Sequence, residues 1–96
     1  MAPYFTFGAF STPQSMMEIW KEIKLATNEI CINNQGTVTH HHAVGRDHRP
    51  KGYDDQRPDL FNKVLVAAKS SLDPKGIMNP GVLIDPEGKN IRNWMA

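Results

Sequence analysis

An α+β fold with an incomplete sheet is the architecture that this sequence predicts, on three observations. The aromatic run Pro3-Tyr4-Phe5-Thr6-Phe7-Gly8-Ala9-Phe10 reads as a strand apolar on both faces. Two stretches, one ending near Asn33 and one running from Pro58 to about Leu72, space their apolar residues in steps of three and four. One further strand candidate, the β-branched Thr37-Val38-Thr39, is available to pair with the first. Two strands do not close a sheet, so the chain is expected to pack against structure that it does not contain. The expected order is strand, helix, short strand, histidine turn, loop, helix, apolar tail. It makes a single partial domain over residues 1–96, with a flexible tail over residues 86–96.

The first helix has two candidate starts. Thr12 can cap with Pro13 in the first helical position, or Ser15 can form a capping box with Glu18. Met16, Ile19, Trp20, Ile23, Thr27, Ile30 and Cys31 then follow helical spacing, and Glu18, Lys21, Glu22, Lys24 and Glu29 are expected to face water. A methionine and tryptophan stripe of this kind reads as packing. Asn33-Asn34-Gln35-Gly36 supplies left-handed formers to end the helix. From Arg46 to Asp59 the charges mix and two prolines and Gly52 keep the backbone irregular, so a solvated, salt-bridged loop is expected. The second helix carries Phe61, Val64, Leu65, Ala68 and Leu72, and Asp73-Pro74-Lys75-Gly76 stops it. An apolar tail punctuated by Asn79-Pro80-Gly81 follows.

Composition narrows the function classes. Eleven basic residues against ten acidic ones leave a net charge of +1, no footprint for nucleic acid or an anionic membrane surface. No run approaches the roughly 18 apolar residues of a transmembrane helix. The single Cys31 has no internal disulfide partner, which points to a reducing, cytoplasmic setting.

The chemistry concentrates in Gly36-Thr37-Val38-Thr39-His40-His41-His42-Ala43-Val44-Gly45, with His48 just beyond. In an extended backbone His40 and His42 would point one way and His41 the other. Three readings stay open on the residues alone. His40 and His42, joined by His48, can chelate a divalent metal, although no cysteine or acid stands at a compelling spacing. One imidazole can move a proton while its neighbours depress its pKa by repulsion. Or all are partly exposed histidines bonded to backbone carbonyls.

The same run resembles the active-site signature of the alkyldihydroxyacetonephosphate synthase family, within the vanillyl-alcohol-oxidase-type flavoproteins. The likeness extends upstream to Tyr4-Phe5-Thr6-Phe7. Downstream, Leu72-Asp73-Pro74-Lys75-Gly76-Ile77-Met78-Asn79-Pro80-Gly81 is similar to the closing motif of FAD-linked oxidase C-terminal domains in general. The resemblance implies a C-terminal fragment of the cap domain of an FAD-linked oxidase. It implies Tyr4 as acid/base residue, His40, His41 and His42 as catalytic, and His41, His42 and Asn79 as contacts to FAD, with no metal. The family exchanges the acyl chain of acyl-dihydroxyacetone phosphate for a long-chain alcohol in ether-lipid synthesis, with FAD holding the substrate covalently and no net oxidation. A lipid-phosphate substrate and an FAD-binding domain absent from this chain are therefore expected, and the chain alone is expected to bind FAD poorly and to be inactive. Ala43 stands where glycine is frequent, and Gln35 where a second glycine is common.

Two alternatives belong beside this. FAD-dependent 2-hydroxy-acid dehydrogenases of the lactate or glycolate type share the ending but carry Gly-Glu-His-Gly where this chain has His40-His41-His42-Ala43; His42 would match their catalytic histidine, while His41 replaces their metal-binding glutamate. A non-catalytic metal-binding or interaction module is the other, its exposed aromatic face favouring a homodimer.

Overall fold

A computed structural model describes residues 3–85. The expected tail over 86–96 lies outside the described residues. Helices dominate: α1 spans Met16–Asn33, the single turn α2 spans Asp54–Gln56, and α3 spans Asp59–Leu72. No strand occurs among the described residues, so the α+β expectation and its incomplete sheet are corrected. Pro3–Phe10 forms neither helix nor strand, and Thr37–Thr39 passes into a bend at His40. The reason is physical. A strand exists only through hydrogen bonds to a neighbour, and among the described residues no segment forms that ladder with either stretch.

Both long helices lie where their spacing puts them. α1 begins after Ser15, whose backbone is already helical and whose hydroxyl bonds to Ser11 and Thr12 rather than capping. Neither expected cap forms; a turn closed by Ser15 N–H on the Thr12 carbonyl leads into the helix. At the other end Gln35 takes the left-handed conformation (φ 59°), and Gly36 N–H reaches back to the Cys31 carbonyl at 2.7 Å. Arg57 precedes Pro58 and is extended, which separates α2 from α3. Asp73 stops α3: its carboxylate accepts from the Ile77 and Met78 N–H groups and from Lys69 Nζ, folding the chain back over Gly76 in a left-handed turn (φ 62°).

Apolar burial is scarce. Ile84 is the one apolar side chain among the described residues that is buried, at 6 % exposure. The stripe of α3 stays open, with Phe61, Val64 and Leu72 exposed, and so do Tyr4, Phe5, Phe7 and Phe10. The interior is polar instead. Arg49, expected in a solvated loop, is the most buried large side chain, at 1 % exposure. Its Nη1 donates to the Gly81 carbonyl at 3.0 Å, and Nη1 and Nη2 grip both oxygens of Asp85 at 2.9 and 3.2 Å. Its Nε donates to Asp54 at 3.1 Å. Desolvation works against this cation, but hydrogen bonds to Asp85 and Asp54 outweigh it and raise the pKa.

Neighbouring arginines repeat the pattern. Arg46 donates to the Pro80 carbonyl at 2.8 Å and Arg57 to the Leu83 carbonyl at 2.9 Å, while Leu83 N–H bonds the Val44 carbonyl at 3.0 Å. The tail is thus held by its backbone carbonyls. On the far side, buried Asn28 of α1 donates to the carbonyls of Asp47 (3.1 Å) and Pro50 (3.2 Å). Gly52 closes the joint: a Cβ there would stand 3.0 Å from Val38 Cγ1 and 3.2 Å from Asn28.

Two outcomes follow from this polar interior. Arg49→Ala strips Asp54, Asp85 and Gly81 of a shared donor and should lower stability by about 3–5 kcal/mol, read from urea unfolding. An unchanged midpoint would contradict the assignment of Arg49 as the central tie. Lys69, then the Met78 and Ile77 N–H groups, hold the Asp73 carboxyl below its ordinary 3.8. A depressed carboxylate stabilises the fold above the unfolded value and loses that contribution as pH falls through the folded one. Protection of the Ile77 and Met78 amides, taken relative to their intrinsic exchange rates, should therefore fall on acidification below about 3.8 and not above it.

Candidate functional site

The end of α1 and the segment from Gly36 to His42 frame an open groove of about 750 Å³. Phe5, Phe7, Ile30, Cys31 and Val38 give it apolar walls, and Lys24, His40, His42 and His48 give it a polar margin. On helix α1 its wall is Lys24, Thr27, Asn28, Ile30 and Cys31, with Lys24, Thr27, Asn28 and Cys31 on one face at steps of three and four.

Tyr4 and the three histidines meet at one end. The backbone bends at His40–His42, so the alternation of rings that a fully extended backbone would give does not occur. All three rings stand together. His40 stacks on His41 at 4.5 Å with planes 6° apart, and His41 on His42 at 4.5 Å. The Tyr4 ring meets His40 edge-on at 4.3 Å, and its hydroxyl lies 3.1 Å from His41 Nε2. All four side chains are exposed to solvent.

Local bonds shape this bend. Thr37 Oγ1 donates to the Thr39 carbonyl at 2.6 Å and Thr39 Oγ1 to the His42 carbonyl at 3.2 Å. The Gln56 side chain accepts from Val38 N–H at 3.2 Å and donates to Thr37 Oγ1 at 2.9 Å, anchoring the segment to α2. His41 N–H donates to His40 Nδ1 at 3.0 Å, so a neutral His40 carries its proton on Nε2. Desolvation beneath its stacked neighbours, then repulsion from His41 and His42, lowers the His40 pKa from 6.5. The ring is thereby biased towards the neutral form.

His48 belongs to a different pair. Lys24 Nζ lies 3.0 Å from His48 Nδ1. An ammonium has only donors, so Nδ1 must accept, leaving the neutral ring's proton on Nε2, which lies 3.9 Å from the Asp47 carboxylate. Burial, then the Lys24 charge, lowers the His48 pKa, against the opposing pull of Asp47. This lysine was assigned to water on spacing; its place three and four residues before Thr27 and Asn28 is the signal that could have marked it.

Not every expected site residue converges. Tyr4, His40, His41 and His42 are together, but Asn79 sits in the tail turn (φ 47°), outside the groove's wall. Arg46 and Arg49 are engaged by carbonyls and carboxylates of the tail. No helix among the described residues is long and apolar enough to cross a membrane.

Known proteins with similar sequences set the chain in a family. The alkyldihydroxyacetonephosphate synthase of Trypanosoma brucei brucei is 32% identical over 83 residues, covering 84% of this chain and 13% of the relative. The enzyme of that name from Dictyostelium discoideum is 32% identical over 81 residues, again 84% of this chain and 13% of its own length. The chain thus spans about an eighth of the curated relatives that it matches. No solved structure matches it. The family described as FAD linked oxidases, C-terminal domain, matches across residues 1–83. With a tyrosine and three imidazoles gathered beside an open groove, and that match running through both ends of the site, the chain belongs to the C-terminal domain family of the FAD-linked oxidases.

Proposed function

We propose that this chain is the proton-handling segment of an FAD-dependent enzyme similar to alkyldihydroxyacetonephosphate synthase, which exchanges an acyl for an alkyl chain on acyl-dihydroxyacetone phosphate. The observation that carries the reading is the contact between Tyr4 and the histidine stack, made across a sequence separation of 37. A reaction that removes and restores a proton beside a carbonyl needs a group able to do both near neutral pH. Tyr4 O–H against an imidazole nitrogen is such a pair: the phenol gives its proton to the ring or recovers it. His40, biased to the neutral form, adds no further positive charge beside that pair.

FAD, when bound, would supply an electron-poor aromatic ring system beside this cluster. The open groove has room for a flat ring beside His40 and His42; by the resemblance His41 and His42 are the residues of this chain that would meet it, with Asn79 as the outlying contact. The apolar walls at Phe5, Phe7, Ile30 and Val38 suit the chain of a lipid substrate. The remaining domains of the enzyme, including the one that binds most of the FAD, would complete the groove.

Two measurements test this. In an enzyme that carries this chain together with an FAD-binding domain, Tyr4→Phe and His42→Ala should each lower exchange activity by about 10²–10⁴-fold without loss of bound flavin. Activity within twofold of the parent for both variants would remove the proton-handling role. Flavin fluorescence should report weak FAD binding by the isolated chain and tight binding once the FAD-binding domain is added. Equal binding in the two cases would show that this segment needs no such domain.

A further inference from the structure

We propose that His40, His41 and His42 also form a chelation site for a divalent transition-metal cation of the zinc class, with a fourth position open to water beside the Tyr4 hydroxyl. One nitrogen from each ring lies within 4.8 Å of the other two, and all three rings are exposed, so an ion reaches them from solvent. Imidazole nitrogens favour zinc, copper and nickel over magnesium and calcium, which take oxygen donors. Tetrahedral zinc with bonds of 2.0–2.1 Å needs ligand nitrogens about 3.4 Å apart, a closure that rotation of exposed side chains supplies. The stacked rings must turn to aim their lone pairs at one point, and His40 must release the N–H of His41 or bind through its other nitrogen.

The ligand set differs from the one that spacing suggests. His40 and His42 with His48 would be the alternating choice, but the Lys24 ammonium occupies His48 Nδ1 at 3.0 Å and brings a positive charge to that ring. The bend at His40–His42 brings His41 in its place. The inference stands on this geometry and does not depend on the enzymatic reading. The two uses exclude each other, because a bound cation takes the same lone pairs that would move protons.

The test titrates the 96-residue chain with Zn²⁺ at neutral pH, in competition with a chromophoric chelator. One ion per chain is expected, with His41→Ala weakening binding about 100-fold and His48→Ala leaving it unchanged. A peptide of residues 36–45 should bind far more weakly than the chain, since it lacks the Gln56 anchor and Tyr4. Three results would overturn the proposal: a peptide as tight as the chain, an undiminished His41→Ala, or a His48→Ala weakened as much as His41→Ala.

Discussion

The guanidinium of Arg49 is the interaction on which the rest of this chain depends. It joins the charged segment after the histidines to Gly81 and Asp85 in the tail and to Asp54 in α2. Arg46 and Arg57 extend the tie to Pro80 and Leu83. Arginine suits this place because its five donors lie in one rigid plane and serve carbonyl and carboxylate together. Asn28 does the matching work towards α1. The joint that holds the groove's floor is therefore a hydrogen-bonded lattice, and apolar burial contributes little to it.

That balance explains the exposed aromatic surface. Phe5, at 82 % exposure, and Leu72, at 86 %, would be poor choices on a self-sufficient domain. The chain matches about an eighth of its relatives' length, and exposed apolar side chains of this size are surface that a further layer of protein can cover. Tyr4 and Phe5 are adjacent in the chain, so contacts made by the phenylalanine bear directly on the placement of the phenol over the histidines.

Much was legible in the residues, for reasons that differ from place to place. The helices were readable because their periodicity is local: Ile19, Trp20 and Ile23 declare α1, and Asp73 before Pro74 declares the end of α3. The Tyr4 and histidine grouping was readable through resemblance, since nothing in spacing links residues so far apart. The strands were not, because Pro3–Phe10 has strand composition but strand structure requires a partner. Arg49 was hidden among charges of both signs, where composition points to water. Lys24 was hidden the same way; only its register with Thr27 and Cys31 distinguishes it from the solvent-facing lysines of α1.

The polar joint at Arg49 also sets how this chain responds to temperature. The heat capacity of unfolding grows with the apolar area exposed and shrinks with the polar area. Among the described residues Ile84 is the one buried apolar side chain, against buried Arg49 and Asn28, so the apolar contribution is small. The stability curve is then shallow, with its maximum poorly defined. Calorimetry would see a broad, low melt with almost no step in baseline, and a sharp transition with a large step would mean that the aromatic face had found a cover.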